Sequence, residues 1–519
     1  MKRRTLLLGA AAVAGAGTGA YFFGQKLWQY ARGLVAPGTT GTALDKINHV
    51  VVLMLENRSF DNLLGKLYPK SNGFDGLSGT ETNPDLDGRP IPIKNIPGTG
   101  RLSITNPWPD PGELFVDINE QLFRTPTPAP GQTPTMDGFV INFLRQPETS
   151  ADQYGELAQR IMHYYEPEQV PVISRLARQF AVCDQWFASA PCQTWPNRFF
   201  MHTGTAGGFV NNEPYHFLDV PTIFDRLTEK LGPNSWVIYR HDFSLALNLP
   251  RLWFFPLNFF LFNDFLNDAK NGNLPAYSFI EPRYLPDVDL PNDQHPPHGV
   301  TAGEQLIATV YNALRNGPRW TSTLLIITYD EHGGCYDHVP PPAAIPPDAT
   351  ASSPFNFDRY GVRVPAVIVS PYIKPNFILR APRGSAPFDH TSIMATLRKR
   401  FALSAPLTQR DAAAPDLGSI TDMWLKTPDN LGPDHIEALP EEDFAARLEA
   451  SRKDPVNDLQ KSLLHINANL PTAERTVREH IETHNRRGPL PSPDGSMSAG
   501  EAAEVLKPLP EKLKSFKPG

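Results

Sequence analysis

The sequence predicts an α/β fold on a mostly parallel central sheet, and three observations carry that reading. Residues 49–55 (HVVVLML), 323–329 (TLLIITY) and 364–369 (VPAVIV) are apolar, β-branched runs without polar alternation, the pattern of strands covered on both faces. Ahead of the second run, Thr301-Ala302-Gly303-Glu304 fits a capping box, and Leu306, Ile307, Val310, Tyr311 and Leu314 recur at helical spacing. A helix feeding a buried strand is the α/β signature, and strands with no wet side require helices on both faces. The third observation is the loops: 54 Pro and 37 Gly, concentrated in stretches such as 105–135 and 337–354, predict long Pro-rich excursions decorating that scaffold.

A chain of 519 residues, 40% hydrophobic and 20% charged, builds a full core and excludes disorder over most of its length. The net charge of −7 leaves no electrostatic footprint for nucleic acid. Three cysteines make no disulfide framework. Cys183 and Cys192 across a short loop, with Cys335 left over, are equally consistent with one bridge or with three thiols.

Residues 1–30 open with Lys2-Arg3-Arg4-Thr5-Leu6-Leu7-Leu8 and continue in a weakly hydrophobic Ala/Gly run, the shape of a twin-arginine export signal. The small residues at 14–20 suit cleavage, while a retained N-terminal anchor is the alternative. Either way the expected partner is the twin-arginine machinery, and the expected location is outside the cytoplasm: periplasmic, secreted or membrane-anchored. Residues 45–420 hold the strand-like runs and form the main domain; 421–519 is a polar, helical C-terminal extension. No internal repeat is present.

The chemistry sits where the two strongest strands end. Residues 50–55 run into Glu56-Asn57-Arg58-Ser59, and 324–329 into Asp330-Glu331-His332-Gly333-Gly334. In open parallel sheets ligands bind at the carboxyl ends of strands. Glu56, Asn57, Asp330 and Glu331 offer three carboxylates and an amide oxygen, a donor set for a divalent metal ion, and Gly333-Gly334 permits close backbone approach. The plainer alternative is that these residues cap the following turns. Thr194, before Trp195-Pro196, reads as a helix N-cap; a hydroxyl there faces free N–H groups and suits phosphate binding or attack. His295, His298, His332, His338 and His390 are candidates to donate to phosphate oxygens or to protonate a leaving group.

Five segments occur in order: 55–61 (LENRSFD), 194–198 (TWPNR), 293–297 (DQHPP), 328–341 (TYDEHGGCYDHVPP) and 389–392 (DHTS). Over residues 47–415 this set resembles the bacterial phosphoesterase family of phosphocholine-preferring phospholipases C and secreted acid phosphatases. The resemblance implies an alkaline-phosphatase-like sandwich and makes 45–420 the catalytic domain. It further implies Thr194 as nucleophile, His295 near the phosphate, and the metal on Glu56, Asn57, Asp330 and Glu331. Where many relatives carry a His after Asp-Pro-x, this chain reads Asp110-Pro111-Gly112-Glu113, so Glu113 stands near the leaving group and acts as a general acid if its pKa is raised.

The leading expectation is an exported, metal-dependent phosphoric-ester hydrolase working through a phosphothreonine, phospholipase C-like, on a phospholipid or small phosphate ester. Acid phosphatase activity on the same site, a non-catalytic envelope binding protein and a sulfatase-type hydrolase are the alternatives; Cys192 lies in the wrong context for the last. The aromatic segment 252–262 (LWFFPLNFFLF) reads either as a lipid-facing loop touching a membrane surface or as a buried segment packing the sheet.

Overall fold

The computed structural model describes residues 41–71, 73–96, 107–146, 154–348, 354–470 and 497–507. The expected export signal at 1–30 lies outside them. Eight strands form the main sheet: β1 (His49–Leu55), β2 (Ala181–Cys183), β3 (Trp236–Arg240), β4 (Phe259–Leu261), β5 (Tyr277–Glu281), β6 (Thr323–Tyr329), β7 (Ala366–Val369) and β8 (Phe377–Leu379). Their spatial order is β8-β2-β7-β6-β1-β5-β3-β4. β6, β1, β5, β3 and β4 run parallel. Every residue of β1 and β6 is buried, so both faces are covered, as the unbroken apolar runs require.

The third run enters the sheet differently. β7 begins at Ala366, past Pro365, and lies antiparallel between β6 and β2. A parallel neighbour needs a crossover, usually helical, and the described residues between Tyr329 and Ala366 contain no helix, so the chain returns in the opposite direction. The sheet is therefore mixed, with a parallel majority.

The helix ahead of β6 spans Val300–Arg315 and is N-capped by Gly299. Thr301–Glu304 does not form the expected capping box. Glu304 instead accepts from the backbone N–H groups of Val172 (2.6 Å) and Ile173 (3.1 Å), orphan donors in the first turn of the Pro171–Gln179 helix. A tertiary partner has taken the carboxylate that the local pattern assigned to its own helix. Cys183, Cys192 and Cys335 are buried free thiols, so the alternative of a 183–192 bridge falls.

Within 252–262, Leu252, Trp253, Phe259, Phe260 and Phe262 are buried, and Leu261 is the exposed member. The segment packs the β3–β4 edge, with Phe254, Phe255, Pro256 and Leu257 half-buried. Among the described residues no helix is long and apolar enough to cross a membrane. Trp424, Ile436, Leu459, Leu463 and Ile466, from the C-terminal extension, share one hydrophobic core with β1 and β6.

Candidate active site

β1 and β6 pair in register, Leu55 opposite Tyr329, so the residues that follow emerge side by side. Asp330 Oδ1 accepts from Asn57 N (3.0 Å) and Glu331 N (2.8 Å), tying the two strand ends together. Asn57 has a left-handed backbone, φ 54°, which turns the chain over Gly333. Both glycines are obligatory there. Gly333 and Gly334 have φ 59° and 64°; a Cβ on Gly333 would lie 2.3 Å from Asn57 O, and one on Gly334 2.6 Å from Pro111 Cβ.

Thr194 opens the Thr194–Thr203 helix at its first helical position; Gln193, not Thr194, is the N-cap. The Thr194 hydroxyl thus escapes the capping role and donates to Glu56 Oε2 at 3.2 Å. Trp195 N donates to Asn212 Oδ1 (2.9 Å) and Asn212 N to Gln193 Oε1 (2.9 Å), so the residues on either side of Thr194 are clamped to one asparagine. One helical turn on, Arg198 pairs with Glu56 Oε1 and has Nε 3.8 Å from Asp330 Oδ2.

Glu113 joins from the Asp110 loop. Asn57 Nδ2 donates to Glu113 Oε1 (2.6 Å) and to His295 Nε2 (3.0 Å). His295 Nδ1 lies 2.6 Å from Pro296 O and so donates, which leaves the lone pair on Nε2. In this tautomer His295 is an acceptor. Its expected donation to phosphoryl oxygens requires a second ring proton, which burial resists by lowering its pKa.

Glu56, Asn57, Asp330 and Glu331 are fully buried. Burial pushes the Glu56 and Glu331 carboxyls well above their usual range; Arg198 opposes this at Glu56, and Asp330 adds to it at Glu331. Glu113 rises likewise, by burial and then by the charge of Glu331. Three oxygens aimed into this cluster have no hydrogen-bond donor: Asn57 Oδ1, Asp330 Oδ2 and Glu331 Oε1. Buried oxygens left bare are costly, and a hard divalent cation is what such a set accommodates. The bare oxygens give the set a chemistry suited to a divalent cation. Among the described residues, the His, Asp and Glu triads whose ligand atoms all lie within 4.8 Å of one another are Asp110, Glu113 and His295, beside it, and Asp61, Asp337 and His338.

His338 stands apart. It meets Asp61 Oδ2 through Nδ1 (2.6 Å) and Asp75 Oδ1 through Nε2 (3.3 Å), in a separate ion cluster with Asp337 and Arg363. Among the described contacts none joins it to Thr194, Glu113 or His295. Asp61 N and Arg363 Nε both donate to Asp337, at 3.2 and 2.9 Å, which ties the residue before His338 to the Phe60–Leu64 helix.

The Phosphoesterase family matches residues 47–404. Non-specific phospholipase C6 of Arabidopsis thaliana is 41% identical over 386 residues, 71% of this chain and 71% of the relative. Non-specific phospholipase C3 of the same plant is 38% identical over 73% of this chain and 74% of its own length. The chain belongs to the phosphoesterase family. Phospholipase C A of Mycobacterium tuberculosis is similar to this phosphoesterase at 30% identity, over 72% of the chain and 77% of the relative. The enzyme is thus a phosphoric-ester hydrolase. Among solved structures, a protein in the alkaline phosphatase superfamily from Vibrio parahaemolyticus aligns with 53% of the chain and 65% of its own, at TM-score 0.28 and 12% identity.

Arg198 and Asp293 were given no role from sequence, and the partner of His390, a candidate there, was not legible. Arg198 lies four residues after Thr194, one turn along the same helix face, and that spacing is the signal that finds it. Asp293 presents Oδ1 to His298 Nδ1 (2.7 Å) and to His295 N (3.2 Å), holding the histidine loop. His390 lies with Nε2 2.6 Å from Asp330 O, a contact that no local pattern announces.

Proposed function

We propose that this phosphoesterase is a metal-dependent phospholipase C-type hydrolase with Thr194 as its nucleophile. The observation that carries the reading is the Thr194 hydroxyl, hydrogen-bonded to Glu56 at the edge of a buried acidic cluster with three bare oxygens. Asn57, Asp330 and Glu331, with Glu56, would hold a divalent cation, which when bound neutralises charge on the phosphoryl oxygens and lowers the pKa of a hydroxyl beside it.

The protein's own groups divide the rest of the work. Glu56 aims Thr194 Oγ1 and, held as a carboxylate by Arg198 against its burial, accepts the hydroxyl proton as the O–P bond forms. Arg198 offers a fixed guanidinium beside Glu56 for charge developing in the transition state. Glu113, kept protonated by burial, gives its proton to the departing alcohol oxygen as the ester P–O bond breaks, and the resulting carboxylate accepts a proton from the water that cleaves the phosphothreonine. Asn57 and His295 orient Glu113. The proposed substrate class is a phospholipid or related phosphodiester, supported by similarity to the non-specific phospholipases C over most of both chains.

The test is hydrolysis of p-nitrophenylphosphorylcholine and p-nitrophenyl phosphate by wild-type and Thr194→Ala protein, with and without chelator. The reading expects diester preference, chelator sensitivity and no turnover by the folded variant. A variant near wild-type rate removes Thr194 from its role, and monoester preference makes the enzyme a phosphatase. Export through the twin-arginine route belongs to the same proposal, resting on residues 2–23; an Arg3→Lys, Arg4→Lys variant is expected to remain in the cytoplasm, and unchanged export overturns it.

A further inference from the structure

The Asp458–Ala468 helix lies beyond residue 404, where the family match ends, yet it touches the site-bearing segments at three places. Trp195 Nε1 donates to Ser462 Oγ at 3.1 Å, and Ser462 in turn donates to Leu459 O at 2.6 Å, so one hydroxyl is used in both directions. His465 stacks on Tyr215 with ring centroids 4.4 Å apart, and Tyr215 leans on Trp195 at 5.4 Å. Gln460 Nε2 donates to Tyr284 O (2.9 Å), in the segment leading from β5 toward Asp293 and His295. Gln460 also closes the helix's own capping box with Asn457, which fixes its register.

We infer that Ser462 is a positioning residue: through Trp195 it sets the placement of Thr194, and the C-terminal extension thereby completes the active site of the family domain. Trp195 follows Thr194 directly. Its backbone N–H is held by Asn212 and its indole by Ser462, two separate anchors on the residue that follows the nucleophile. Both Trp195 and Ser462 are buried, so water does not replace the lost acceptor at the indole N–H. Displacement of a nucleophile by a fraction of an ångström lowers the rate without altering which groups bind the substrate.

The inference rests on Thr194 being the nucleophile, so Thr194→Ala is measured alongside. In the full-length protein, Ser462→Ala is expected to lower kcat on p-nitrophenylphosphorylcholine by on the order of tenfold, per molecule folded by near-UV circular dichroism, with KM unchanged. Ser462→Thr, which keeps the hydroxyl, is expected to restore most of that loss. Trp195→Phe removes the donor from the other side and serves if Ser462→Ala does not fold; the same loss of kcat at constant KM is expected. Wild-type kcat in a folded Ser462→Ala or Trp195→Phe protein, with Thr194→Ala inactive, overturns the positioning role alone. An active Thr194→Ala overturns the nucleophile assignment instead.

Discussion

Two buried acidic clusters flank the end of β1, and they are built on opposite principles. Around Asp61 and Asp337 every carboxylate oxygen is bonded: Arg363 reaches Asp61 Oδ1 and Asp337 Oδ1 at 2.9 Å each, while His338 N, Asp61 N and Val339 N take the rest. Around Glu56, Asn57, Asp330 and Glu331 the guanidinium of Arg198 pairs with Glu56 and Asp330, and the His332 ring, whose pKa burial lowers, meets Glu331 at 3.2 Å. Three oxygens there, one of them the Asn57 amide's, have no hydrogen-bond donor. A network that supplies its own cations holds loops together. One left short of positive charge is where the proposed cation would be held.

That contrast is sharpest at the metal. Asp330→Asn combined with Glu331→Gln is expected to abolish bound metal by elemental analysis and to lower turnover by about 10³-fold. In chelator the variant is expected to be at least as stable as wild type, because the unfavourable burial of Glu331 beside Asp330 is relieved. Unchanged metal content would refute the ligand set. The second cluster should answer in the reverse way. Arg363→Met leaves Asp337 buried without its guanidinium and Asp61 with His338 alone, at a cost of about 3–5 kcal/mol in urea denaturation, while the folded fraction is expected to retain its metal. Loss of metal in that variant would mean that the clusters are not independent.

What the sequence made legible is what strands display at their ends. Glu56-Asn57 and Asp330-Glu331 follow two unbroken apolar runs, so their convergence is a consequence of sheet geometry that needs no knowledge of the rest of the chain. Thr194 was found by its place at a helix start, though Gln193 took the cap and left the hydroxyl to Glu56. What stayed hidden depends on partners far along the chain. His338 shares a motif with Glu331, but its allegiance is decided by Asp61 and Asp75, more than 260 residues away. Glu304 looked like its own helix's cap and serves another helix 131 residues earlier. The docking of Ser462 on Trp195 spans 267 residues and leaves no local pattern at all.

The smallest effect tests how the self-sufficient cluster depends on pH. Burial alone would depress the His338 imidazole, but hydrogen bonds to Asp61 and Asp75 more than offset it and hold the pKa up at about 9, above its ordinary 6.5. Asp75 moves the other way: the bond from His338 pulls it down to about 2 from 3.8. A raised folded pKa gives stability that is complete below 6.5 and lost as pH climbs through about 9. A depressed one gives stability that is complete above 3.8 and lost as pH falls through about 2. The stability difference between wild type and His338→Gln is therefore expected to be greatest between pH 3.8 and 6.5, and to shrink steadily to pH 9. Metal content is expected to stay level across the variant pair, since no ligand of the other cluster is altered. A difference that stays flat above pH 6.5 would show that His338 is not held as a cation by Asp61 and Asp75, and the cluster would then rest on Arg363 and, at Asp75, on Lys70.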